Sequence, residues 1–115
     1  MAGEKIFVID RILTERGCGK RFVDAYTTQY VPRAQRRGMT LTNILVSPPL
    51  WIEDETNIVT ITWTVDGTSG WWKMTRQGRA DQESSQWWER HSALTIERSR
   101  TMAADAADIE GLSDV

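Results

Sequence analysis

A chain of 115 residues is expected to fold as one domain. It can bury roughly two-thirds of its unfolded surface without needing disulfides or metals as staples. The net charge of −2, from 14 Lys and Arg against 16 Asp and Glu, gives no polyanion-binding signal, so nucleic acid is not an expected partner. Four of the 16 acids fall within residues 103–115, which leaves the body with 12 acids against 14 bases. Cys18 is the single cysteine, so no internal disulfide and no cysteine metal motif can form within this sequence. The first residues lack a basic region followed by an apolar run, and no stretch has membrane-spanning length. A reduced, cytoplasmic protein without a membrane partner is the expectation.

Residues 5–13 are rich in β-branched and aromatic side chains and read as a first strand. Gly17-Cys18-Gly19 ends it, with Cys18 as a turn residue. Phe22, Val23, Tyr26 and Tyr30 then recur at three- and four-residue spacing, which predicts an amphipathic helix over 20–31. Pro32 kinks it or starts a further turn through Arg37, and Gly38 is the C-cap. Residues 40–47 form a second strand, stopped by Pro48 and Pro49. An acidic loop over 50–56 follows. Residues 57–65 alternate between Ile58, Thr60, Thr62, Thr64 and Val59, Ile61, Trp63, Val65, a third strand paired with the second as a hairpin. A second helix starts near Ser69, is weakened at Gly78, and resumes over 82–91 with Asp81 as its cap. Residues 93–102 alternate with period two and read as a fourth strand, a continuing helix being the alternative. The domain is therefore placed at 1–102, with an acidic, frayed tail at 103–115.

The order β-α-β-β-α-β is the ferredoxin-like α+β arrangement, a four-stranded antiparallel sheet with two helices on one face. The first strand is apolar on both sides, with Ile6, Val8 and Ile12 opposed to Phe7, Ile9 and Leu13. A sheet of this kind in a short chain calls for a second cover, most economically another copy in a homodimer.

Three stretches carry a family resemblance: Tyr30-Val31-Pro32 to Arg37-Gly38, Val59–Asp66 running into Trp71-Trp72-Lys73-Met74, and Trp87-Trp88 to Ser99-Arg100. With the strand order, they resemble the dimeric α+β barrel superfamily, and within it the NIPSNAP-like and EthD-like small proteins, over residues 5–102. The resemblance implies a dimeric α+β barrel. It also implies a use for a helix-two histidine, as acid/base or haem ligand, which would fall on His91. Haem-degrading members pair tryptophan with histidine and carry an asparagine on strand one; Asp10 breaks that pattern here.

Several residues stand out for chemistry. His91 is the only side chain that titrates near neutrality unperturbed, and its structural alternative is a helix C-terminal cap. Tyr26 and Tyr30 lie one above the other; each is an acid/base group in an apolar pocket or a core ring. Either Asp10 or Arg11 points into an apolar face, and a buried Asp10 needs a partner that Arg98 or Arg100 can supply. Arg33, Arg36 and Arg37 read as a solvated helix end. Adjacent tryptophans diverge by about 100° on a helix, so Trp71-Trp72 and Trp87-Trp88 each place one ring inward and one at a second surface.

Two functional readings follow. The first is a dimeric barrel that binds a small hydrophobic or aromatic molecule, with His91, Tyr26, Tyr30 and Asp10 as candidate catalytic groups. Trp63, Trp71, Trp72, Trp87 and Trp88 are its pocket walls. Cofactor-independent isomerase, cyclase or lyase chemistry suits it, since the sequence has no cofactor or metal motif. The second is a non-catalytic binding or assembly protein that uses tryptophan-rich surfaces.

Overall fold

The alternating segments become the centre of one sheet. In the computed structural model, which describes residues 4–80 and 82–113, β1 (Lys5–Thr14) pairs antiparallel with both β3 (Ile58–Asp66) and β4 (Thr95–Ala104). Strand β2 (Thr40–Ser47) closes the other edge against β3, giving the order β2-β3-β1-β4. The helical layer comprises α1 (Gly19–Ala25), a π-helical turn Tyr26–Tyr30, α2 (Val31–Arg36), α3 (Gly67–Ala80) and α4 (Gln82–Arg90). This is the ferredoxin-like α+β fold. No described helix is long and apolar enough to cross a membrane.

Period two decides which side of the sheet is covered. Val8, Ile12, Val59, Ile61 and Trp63 are fully buried under the helices, whereas Arg11 on the opposite side of β1 is exposed. Trp63 is the largest of the fully buried side chains, and its Nε1–H donates to the Tyr26 hydroxyl at 2.9 Å. Phe22, Tyr26 and Tyr30 line the inner side of the first helix, and Tyr26 stacks on Tyr30 with ring centroids 4.8 Å apart.

Pro32 does not end this helix. Proline cannot donate to the ladder and crowds the preceding turn. The chain absorbs it by widening that turn: the Val31 amide donates to the Tyr26 carbonyl, five residues back, and α2 starts afresh with proline in its first turn. The helix therefore runs to Arg36 before Gly38, at φ +92°, turns the chain.

Two other boundaries differ from the sequence reading. Strand β4 extends to Ala104, and a 3₁₀ turn Ala106–Asp108 with a short helix α5 (Ile109–Ser113) follows, where a frayed tail was expected from residue 103. The Asp105 side chain caps that turn by accepting from the Ala107 amide at 2.9 Å. The expected cap at Asp81 lies outside the described residues.

The loop after β2 is tied down by Asn57, which is 1 % exposed. Its amide donates to the Thr14 hydroxyl at 3.1 Å, and its side chain donates to the Leu50 carbonyl at 3.0 Å. Gly19 gives it room, since a Cβ there would overlap the Asn57 side-chain oxygen.

Trp63→Ala is expected to cost about 3–5 kcal/mol, from lost burial and the cavity left behind. Trp63→Phe should cost about 1–2 kcal/mol, because the buried Tyr26 hydroxyl loses its donor. Urea denaturation measures both, and a loss under about 1 kcal/mol for the alanine variant would place the ring outside the packed interior.

Candidate functional site

The helices do not cover the sheet evenly. Strand β4 presents Arg98, Arg100 and Met102 to the helix side, opposite Ile12, Asp10 and Val8 of β1, yet all three remain exposed. The uncovered strip is the floor of a cleft of about 800 Å³. Trp71 and Met74 of α3 and Trp88 of α4 supply apolar walls, and Tyr30 and Arg37 close its inner end. A contiguous recess of about 360 Å³ shares Tyr30, Trp88, Arg98 and Arg100 and reaches down to Asp10 and Ile12.

Asp10 sits at the base of that recess. It is 4 % exposed on the apolar face of a central strand, a costly place for a carboxylate without a partner. Arg100, its register neighbour on β4, meets both oxygens: Nε donates to Oδ1 at 2.6 Å and Nη2 to Oδ2 at 3.0 Å. This is the bidentate fork that matches guanidinium to carboxylate. Burial works against the charge of Arg100, but the hydrogen bond and charge of Asp10 more than offset it. The guanidinium therefore holds its proton more tightly than a free arginine does.

Each tryptophan pair splits between two environments, as the helical angle requires. Trp87 is 3 % exposed and donates through Nε1 to Gln29 Oε1 at 2.8 Å, while Trp88 faces the cleft. Trp71 lines the cleft, and its Nε1 is buried with no acceptor among the described residues; Trp72 is 48 % exposed. The Arg98 guanidinium lies 4.2 Å over the Trp88 ring.

The structure thus brings Tyr30, Asp10, Trp71 and Trp88 together at one opening. It keeps other candidates apart from it. Tyr26 is fully buried beneath Tyr30, and Trp63 belongs to the core. Trp87 borders a separate, smaller recess beside Arg33 and Glu83. His91 stacks on Trp87 at 4.3 Å, with Nδ1 2.8 Å from the Trp87 carbonyl, and does not line the cleft. That contact places the imidazole on the last turn of α4, the geometry of a cap.

Arg37 departs from the sequence reading, which placed it on a solvated helix end with Arg33 and Arg36. It is 7 % exposed, and its Nη1 donates to Ser84 Oγ at 2.8 Å and its Nη2 to the Tyr30 hydroxyl at 3.4 Å. The missed signal was spacing: Arg37 follows Tyr30 by seven residues, two turns along the same stripe. Arg36 is exposed.

With this geometry established, comparison with known proteins shows the fold and little else. A solved structure from Agrobacterium tumefaciens, described as a NIPSNAP family protein with unknown function, superposes with a TM-score of 0.69. The match covers 89 % of this chain and 88 % of that one at 10 % sequence identity. The chain has a NIPSNAP-like fold. No protein-family model matches the sequence, and no curated protein does. At such low identity the likeness concerns the backbone, and function must be argued from the cleft.

Burial, reinforced by the negative charge of Asp10, pushes the Tyr26 phenol well above the ordinary tyrosine range. A raised folded value means stability that is complete below the unfolded pKa of about 10 and is lost progressively as pH climbs from there toward the folded value. Tyr30→Phe leaves Tyr26 as the only tyrosine. Its phenolate absorbance should stay flat to about pH 11 and rise only with loss of the circular dichroism signal. Ionisation in a folded chain near pH 10 would show that the phenol meets solvent.

Proposed function

We infer that this cleft binds a small hydrophobic or aromatic molecule. The observation that carries the reading is an opening of about 800 Å³ between sheet and helices, walled by Trp71, Trp88, Met74 and Met102. That size and mix of apolar walls with a few fixed polar groups suit a small organic ligand. Two of the walls are indoles, which lose little rotamer freedom on binding and pack against a ring by face or edge.

Tyr30 is the candidate acid/base group best placed for chemistry there, since it lines both the cleft and the recess and its hydroxyl accepts from Arg37 Nη2 at 3.4 Å. Such a set suits proton-transfer chemistry of the isomerase, cyclase or lyase kind, without calling on His91. A cytoplasmic homodimer fits the rest of the surface. Phe7, Ile9 and Leu13 face away from the helices and are only half-buried, and Leu45 on the same side of the sheet is 57 % exposed. A second copy laid on that face would cover them and complete a barrel.

A purely assembling protein is the second reading, favoured by Leu50 and Trp51, which are 56 % and 44 % exposed beside edge strand β2.

Ser85→Trp tests the cleft. Ser85 is exposed and lines the opening, so the indole should fill it without touching the core. Calorimetric binding of an aromatic fragment set should then weaken at least about tenfold, with the melting temperature within about 2 °C. Binding that survives the filled cleft would move the site elsewhere.

Sedimentation tests the second copy. The expected mass at micromolar concentration is about twice the 13.1 kDa of one chain. A well-folded monomer would remove the barrel.

A further inference from the structure

The cleft holds an asymmetry of charge that an apolar ligand does not explain. Arg100 is neutralised by Asp10 through two hydrogen bonds. Arg98, two residues earlier on the same face of β4, has no carboxylate within ion-pair distance among the described residues. It borders both the main cleft and the recess. Its position is set by Trp88: the guanidinium lies over the indole at 4.2 Å. The indole holds the cation there by cation–π attraction without using any of its N–H donors in a hydrogen bond. The N–H donors lie in the guanidinium plane and point out along its edge. No described protein acceptor meets them.

We propose that the ligand of this cleft carries a carboxylate, that Arg98 receives it through paired N–H donors, and that the ligand's ring lies in the apolar part of the cleft bounded by Trp71 and Trp88. This deepens the aromatic-ligand reading above and rests on it. The class of anion follows from the charge at hand. Arg98 offers a positive charge with no carboxylate partner among the described residues; its neighbour Arg100 is matched by Asp10, Arg37 at the inner end is held by Ser84 and Tyr30, and Glu89 also borders the cleft. One charge on a planar fork fits a carboxylate monoanion better than a phosphate dianion. Trp88 then has two jobs, holding the guanidinium on one side of its indole and meeting the ligand ring at its edge.

The test uses a matched pair of probes, 2-naphthoate and its neutral amide 2-naphthamide, titrated calorimetrically into the full chain. The acid should bind at least about tenfold more tightly than the amide, in line with a charge-assisted paired contact. Arg98→Gln should remove that preference and leave the amide unchanged. Arg98→Lys, which keeps the charge but not the planar fork, should retain only part of it. Arg36→Gln, an exposed arginine away from the cleft, should retain it fully. Equal binding of acid and amide by the unaltered chain would overturn the proposal while leaving the aromatic reading intact. So would an acid preference that survives Arg98→Gln. Failure of both probes to bind would instead strike at the aromatic reading, and with it this one.

Discussion

A carboxylate on the covered face of a central strand must be neutralised, and that requirement shapes the whole site. Asp10 lies where the alternation of β1 otherwise places Val8 and Ile12. Its partner has to come from the adjacent strand at matching register, and Arg100 is that residue. An arginine there projects a long polar side chain from the helix face of β4. A helix packed flat on that strand would strip water from the guanidinium, whose side chain is still 33 % exposed. The helical layer therefore sits over β1, β2 and β3, and β4 stays open. The cleft follows from one buried charge and the geometry needed to match it.

The aromatic layer is what makes the opposite wall stiff. Trp87 and Trp88 are adjacent on α4, so one must turn into the core when the other faces the cleft. Trp87 packs edge-on to Phe22 and Tyr26, which fixes the rotation of α4 and with it the aim of Trp88. The wide turn at Tyr26–Tyr30 supports this from below. It sets both tyrosine rings under the tryptophans, with Tyr26 held from the sheet by Trp63. Gln29 and Arg33 on that helix reach across to Trp87 and Glu83 of α4. A ring anchored through so many contacts has few rotamers to lose when something stacks against it.

Much of the architecture was legible because it rests on periodicity. The two faces of β3 were readable from Ile58 to Val65, and period two in 93–102 pointed to the strand that forms as Thr95–Ala104. What escaped depends on irregularities that periodicity averages out. Pro32 pointed to a kink or a further turn through Arg37, and the helix does run on to Arg36, but the single widened turn that carries it past the proline has no mark in the sequence. Strand β2 slips register between Leu41 and Asn43, so Leu41 lies opposite Trp63 while Ile44 lies opposite Ile61. No pattern in the sequence marks that bulge. The site was legible in part. A partner for Asp10 among Arg98 and Arg100 follows from burial cost and strand adjacency alone, but which arginine takes the role depends on register. Arg37 was missed because a charge beside a glycine reads as solvated, whereas the end of α2 turns it under Ser84 and Tyr30.

The distribution of fixed and open groups also bears on what such a cleft is built to do. Catalysis by proton transfer needs a group with an available lone pair or proton at the reacting atom. Both Asp10 oxygens already accept from Arg100, the Tyr26 hydroxyl accepts from Trp63 below the surface, and His91 does not line the cleft. Tyr30 is the candidate acid/base residue from the sequence that has a phenol at the cleft itself. The opening is lined mainly by aromatic rings, two methionines, guanidiniums and small hydroxyls, with Glu89 as its one further carboxylate among the described residues. Groups of this kind orient a ligand by shape and charge, which is the role that the proposed binding function asks of them.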